Sequence, residues 1–148
     1  MKVYLASPFF NDNETKYYNQ IINKIREQED IDLFVPREHT IPNAWSLPNY
    51  IWGENVFAVD LLALQKADVV VVLNWGLYSD SGTAWECGYA YAMNKTIINI
   101  VLGEIDNPYS IMMLNGGNHT MTFADFIHFG INRILNENID FIAEFEQK

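Results

Sequence analysis

The chain of 148 residues is short of cations, of cysteine and of long apolar runs. Nine Lys and Arg stand against 19 Asp and Glu, a formal net charge of −10. Such a surface cannot displace the counterions of a nucleic acid or settle on an anionic membrane, so neither is expected as a partner. The single cysteine, Cys87, excludes an internal disulfide and fits a reducing compartment. The three histidines, His39, His119 and His128, lie too far apart for metal-ligand spacing, and no metal or cofactor is called for. The apolar stretch Val69-Val-Val-Val-Leu73 suits one buried strand and is far too short to span a bilayer. Met1 to Ser7 has too short an apolar core for a signal peptide. The expectation is one cytoplasmic domain over residues 1–148.

What the chain does have is an alternation of short apolar runs with helical periodicities. Strands are expected at Val3–Ala6, Ile31–Val35, Val69–Leu73, Thr96–Leu102 and Thr120–Phe123. Helices are expected at Glu14–Gln28, Tyr50–Lys66, Thr83–Met93, Ser110–Leu114 and Ala124–Glu137. In the first helix Tyr17, Ile21, Ile22 and Ile25 share a face; in the second, Val56, Val59, Leu62 and Leu64 do, with Asp60 interrupting. Pro36–Asn49 reads as a long loop, Asn107-Pro108 as a turn, and Asn115-Gly-Gly-Asn118 as a loop. Strands alternating with helices specify an open, mostly parallel five-stranded sheet with helices on both faces, a flavodoxin-like α/β fold.

The chemistry concentrates at Asp80-Ser-Gly-Thr-Ala-Trp-Glu86-Cys-Gly-Tyr-Ala90, directly after the third strand. Ligands in open α/β sheets sit at the carboxyl ends of strands. Glu86 falls within an otherwise apolar, small-residue helix, where a charge is costly unless used or paired. Asp60, Asp80 and Glu86 fall near the same sheet edge, together with Tyr4 and the Ser7–Phe10 loop. Crowded carboxylates repel, so at least one should hold its proton above the ordinary range. A carboxylate nucleophile beside a carboxylic acid suits cleavage of a glycosidic bond, and a tyrosine hydroxyl can orient the nucleophile. Plainer roles compete: Asp80 as a helix cap, Glu86 paired with Lys66 or Lys95, Asp60 solvated, Tyr4 and the aromatics Phe9 and Phe10 as core. A thiol role for Cys87 competes with a buried small residue in a helix.

Taken together, Tyr4-Leu-Ala-Ser-Pro-Phe-Phe10, Asp60, Ala67-Asp-Val-Val and the Asp80–Ala90 element resemble the nucleoside 2-deoxyribosyltransferases. The resemblance runs from Lys2 to about Phe126, with Asp-x-Gly-Thr-x-x-Glu-x-Gly its most specific part. It implies that Glu86 attacks C1′ of a deoxyribose, that Tyr4 holds Glu86, and that Asp80 manages the proton of the base. It places Asp60 beside the sugar, Phe10 in the base pocket and Asn118 on the sugar of a neighbouring subunit, with His119 its rival. Phe9, an aromatic placed right after a strand end to stack on a planar ligand, and Gly82 are expected against the substrate too. The substrates implied are 2′-deoxynucleosides and free nucleobases, exchanged through a covalent deoxyribosyl-glutamate in a homo-oligomer with shared sites. Thr40 stands about where such enzymes carry a base-reading glutamine, and Phe145-Glu-Gln-Lys148 replaces an aromatic terminus. The roles of Arg37, Glu38, His39 and Thr40 are not implied by the resemblance. Two alternatives are a 2′-deoxynucleoside 5′-monophosphate N-glycosidase and a non-catalytic nucleotide-sensing module. The first needs a phosphate cradle, and Ala6–Phe10 contains neither glycine nor cation.

Overall fold

The computed structural model describes residues 1–103 and 108–148. Five strands, β1 (Lys2–Ala6), β2 (Asp32–Phe34), β3 (Val69–Asn74), β4 (Thr96–Val101) and β5 (His119–Thr122), form one sheet in the order β2-β1-β3-β4-β5. Every pairing between them is parallel. Five helices accompany them: α1 (Asp12–Arg26), α2 (Asn49–Lys66), α3 (Ser81–Ala92), α4 (Ile111–Asn115) and α5 (Phe123–Glu137). This is the flavodoxin-like α/β arrangement that the alternation specifies.

The valine run becomes β3 because both of its faces are covered. Val71 and Leu73 pack with Val3, Leu5 and the buried residues of α1 and α5, including Ile21, Ile25, Phe126 and Ile134. Val70 and Val72 face the other way, onto Tyr4, Leu64, Cys87 and Met113. A strand with two buried faces needs β-branched residues throughout rather than an alternating pattern. Truncating Ile98, fully buried in β4, to alanine would cost roughly 2–5 kcal/mol through lost packing.

Helix boundaries follow local chemistry. Asn11 caps α1 by accepting from the Glu14 N–H at 2.9 Å, and the Glu14 carboxylate reaches back to the Phe10 N–H at 2.7 Å. That second bond fixes the loop that presents Phe9 and Phe10. Thr122 and Asp125 form a reciprocal cap, which ends β5 at Thr122 and starts α5 at Phe123, one residue earlier than expected. The backbone of α5 breaks at Gly130, where φ is 70° and the Gln28 carboxamide oxygen accepts from Asn132 N at 3.0 Å.

Two expectations need correction. Of the α2 positions expected to form a core face, only Leu64 is buried; Val59 and Leu62 are 37 % and 51 % exposed. The helix is apolar around its whole circumference, so periodicity did not select a face. The Pro36–Asn49 loop contains two short 3-10 turns, Pro36–Glu38 and Ala44–Ser46. The turn expected at Asn107-Pro108 begins outside the described residues.

Candidate active site

Tyr4 and Glu86 meet because the Tyr4 side chain leaves β1 on the face of the sheet that α3 covers. The Tyr4 hydroxyl donates to Glu86 Oε1 across 2.6 Å. Two adjoining cavities, of about 490 and 370 Å³, open onto this pair. Asp60, Gly82, Glu86, Trp52 and Val56 line both. The larger one is also lined by Phe9, Phe10, Asp80, Arg37, His39, Thr40 and Ile41. The smaller one reaches Tyr4, Phe57 and Trp85. The carboxylates of Asp60, Asp80 and Glu86 therefore share one cleft at the carboxyl edge of β1 and β3.

Burial controls the protonation of this cleft. Glu86 is pushed up to about 7, first by burial and then by the negative charges of Asp60 and Asp80, against the hydrogen bond from Tyr4. Asp60 is also raised by burial, with His39 opposing. Tyr4 is held far above the usual phenol range by burial and by Glu86, so it acts as a donor only. The ring of Tyr4 stacks on Phe34 at 5.4 Å, and Phe34 stacks on His39 at 4.0 Å. Three rings in series thus lock the hydroxyl that holds Glu86.

Asp80 caps α3. Its Oδ2 accepts from Thr83 N at 2.8 Å and Thr83 Oγ1 at 3.1 Å. The plainer reading of Asp80 is thus realised, and the same side chain still lines the cleft. Gly82 lies beside it: a Cβ there would come within 3.1 Å of Asp80 Oδ2. Glu86 forms no ion pair with Lys66 or Lys95 among the described residues; Lys95 instead donates to the Gln65 carbonyl. Phe9 is half-buried against Tyr18, and Phe10 is 74 % exposed at the mouth.

Cys87 is 2 % exposed and lies on the core side of α3, where burial raises its thiol to about 11. That is a packing environment rather than a reactive one. Asn118 lies outside the cleft of its own chain. Its Oδ1 accepts from Ile97 N at 2.8 Å, pinning β5 to the amino end of β4. His119 is buried, with Nδ1 2.9 Å from the Ile139 carbonyl oxygen. Among the described residues no group of three or more His, Cys, Asp or Glu could hold a metal ion.

Sequence reasoning missed Trp52 and left Arg37, His39 and Thr40 without roles. Trp52 had a readable signal: with Val56 and Asp60 it forms an i, i+4, i+8 stripe along α2. The 3-10 turn that carries Arg37 has no such periodicity.

A family model described as nucleoside 2-deoxyribosyltransferase matches residues 3–113. A nucleoside deoxyribosyltransferase of Lactobacillus leichmannii is 21% identical, over 88% of this chain and 90% of that one. Among solved structures, a 2-deoxyribosyltransferase from Bacillus psychrosaccharolyticus is 29% identical, with a TM-score of 0.73, covering 99% of this chain and 98% of that one. A CMP N-glycosidase from Clostridium botulinum has the same fold at 18% identity, with a TM-score of 0.60 over 86% of this chain and 96% of that one.

Proposed function

The chain belongs to the nucleoside 2-deoxyribosyltransferase family, an enzyme family acting on N-glycosidic bonds, and from that premise we propose that it transfers 2-deoxyribose between nucleobases through Glu86. The observation that carries this reading is the 2.6 Å Tyr4–Glu86 hydrogen bond inside a cleft shared with Asp60 and Asp80. A carboxylate held by one donor keeps its second oxygen free to attack.

In the first half-reaction a Glu86 carboxylate oxygen bonds to C1′ as the C1′–N bond breaks. The bonding pair leaves with the base, and Asp80 supplies a proton to it. Asp60 steadies the sugar and the developing positive charge at C1′. In the second half-reaction a ring nitrogen of the incoming base attacks C1′, its proton passes to Asp80, and Glu86 is released. Two inversions give net retention. Phe9 and Phe10 offer π faces to the planar base, and Gly82 leaves room beside Asp80 for it. Water in place of the second base would give hydrolysis.

Residues 1–148 act as one catalytic domain working as a homo-oligomer. Support comes from α2, which buries only Leu64 and leaves Val59 and Leu62, one turn apart and outside both cavities of the cleft, exposed. An apolar helix face of this extent fits an interface with a second copy. In that assembly Asn118 serves a neighbour's sugar site, since it lies outside its own cleft.

The test is incubation of the protein with a 2′-deoxynucleoside and a different free base. A new nucleoside supports transfer; release of free base alone supports a hydrolase; no change refutes both. Mass spectrometry of the quenched protein should find a deoxyribosyl adduct on the peptide containing Glu86.

A further inference from the structure

The cleft holds one arginine or lysine among its lining residues, Arg37, and the proposed mechanism does not use it. Its position is built. Pro36 opens a 3-10 turn closed by bonds from Glu38 N to the Val35 carbonyl at 3.0 Å and from His39 N to the Pro36 carbonyl at 3.1 Å. Glu38 turns away and pairs with Arg26 at the end of α1, at 2.5 Å. The acid adjacent in sequence is thereby engaged elsewhere. The Arg37 guanidinium lies 5.7 Å from the centroid of the Tyr18 ring, which is buried and also supports Phe9. It forms no ion pair or side-chain hydrogen bond among the described residues, though three carboxylates share the cleft. A cation kept on an aromatic shelf, unneutralised and beside the two phenylalanines, is available to a ligand.

Resting on the transfer reading of this site, we propose that Arg37 selects the nucleobase by its carbonyl edge, so that oxopurine and dioxopyrimidine 2′-deoxynucleosides react in preference to their amino-bearing counterparts. A guanidinium only donates, so it satisfies carbonyl oxygens and ring-nitrogen acceptors and leaves an exocyclic amino group unpaired. Thr40, in the same cavity, both donates and accepts and so discriminates little. The chemistry of departure points the same way. As the C1′–N bond breaks, the electron pair spreads onto the carbonyl oxygens of an oxo base. A fixed cation lowers the cost of that charge most where such oxygens exist. A 5′-phosphate is the other anion a guanidinium recognises, but a dianion would have to enter a cleft with three carboxylates on a chain of net charge −10.

The experiment compares wild type with Arg37→Met on 2′-deoxyinosine, 2′-deoxyadenosine, 2′-deoxyuridine, 2′-deoxycytidine and 2′-deoxyuridine 5′-monophosphate. Loss of roughly 10- to 100-fold in kcat/KM on the oxo substrates, with less than about threefold on the amino substrates, is expected. Equal losses on both classes, or a loss confined to the monophosphate, overturn the proposal. Calorimetric binding of hypoxanthine and adenine to Glu86→Gln protein, with and without Arg37→Met, reads selectivity without turnover. Hypoxanthine should bind more tightly only while Arg37 is present; equal binding refutes the proposal even if transfer itself is never observed. If wild type turns over none of the nucleosides while hypoxanthine selectivity persists, the transfer reading fails and the base-selecting role stands. Should Arg37→Met unfold, Arg37→Lys keeps the charge but loses the fork and should hold an intermediate preference.

Discussion

Tyr4 and Glu86 are 82 positions apart in the chain and 2.6 Å apart in the fold. The bond has a direction: the phenol donates and the carboxylate accepts. Burial favours protonated Glu86, whereas Tyr4 favours its ionised form. Removing the hydroxyl should weaken the nucleophile without emptying the site. Tyr4→Phe should lower kcat for transfer by about 10- to 100-fold, the scale of a charge-assisted hydrogen bond. Glu86→Gln should lower it by several orders of magnitude. Single-turnover kinetics on both variants checks the ranking, and near-normal turnover by Glu86→Gln would remove the nucleophile assignment.

The raised protonation midpoint of Glu86 sets a stability signature. The group ionises near 4.5 when unfolded and near 7 when folded, so between those values the folded state holds the extra proton. Stability must then fall as pH rises through that window, by up to about 3 kcal/mol from this group. Asp60, also raised, adds in the same sense. Denaturant titrations from pH 4 to 8 should find Glu86→Gln gaining on wild type as pH increases. A gap between the two proteins that does not change with pH would refute the assignment. Transfer activity should fall below about pH 7 as Glu86 takes up its proton.

Asp80 caps α3 and, in the proposed mechanism, also protonates the departing base, and substitution can separate the two. Asp80→Ala removes the α3 cap and should cost about 0.5–2 kcal/mol of stability. Asp80→Asn keeps a capping oxygen but cannot deliver the proton. It should therefore fold like wild type and slow poor leaving bases far more than an activated leaving group. Equal slowing of both substrates would leave only a positioning role.

Asn118 has a structural duty that plain truncation would confuse with a sugar contact. Asn118→Ala leaves Ile97 N without its acceptor and should destabilise the chain by about 1–3 kcal/mol. Asn118→Asp keeps the acceptor, so a rise in KM with unchanged melting temperature would isolate the sugar contact. At substrate concentrations below the raised KM, mixing Glu86→Ala subunits with Asn118→Asp subunits should give more transfer than the Asn118→Asp subunits alone, because a hybrid interface unites intact partners. No recovery in verified hybrids would exclude shared sites.

The oligomer itself is tested on α2. Leu62→Glu places a charge on a half-exposed apolar position outside the cavity that reaches Tyr4. Sedimentation should find smaller species for this variant than for wild type; a monomeric, fully active wild type would contradict the arrangement.

The sheet was legible because β3 and β4 are apolar runs that only a two-faced parallel sheet can bury. The Asp80–Glu86 spacing was legible because a cap and a helical residue lie within two turns of one another. Other features were not. The face of α2 stayed hidden because its apolar residues surround the helix, so the pattern that would orient it is absent. The Arg37 turn stayed hidden because its position depends on contacts with α1, made by residues remote in sequence. Asn118 is matched to a sugar contact by the family resemblance alone, and nothing in its local sequence signals that its carboxamide also accepts from Ile97 N.

The strand order also dictates when the enzyme can come into being during synthesis. β1 and β2 are adjacent and emerge first, but β3 inserts on the opposite edge of β1 only after α2 has been made. Glu86 follows later still, on α3. A nascent chain halted after β3 carries Tyr4 and Asp60 but not the carboxylate that Tyr4 holds. On the proposed mechanism the growing polypeptide gains its chemistry only once α3 has left the ribosome and packed across β1, which ties that onset to a long-range, slow-forming contact.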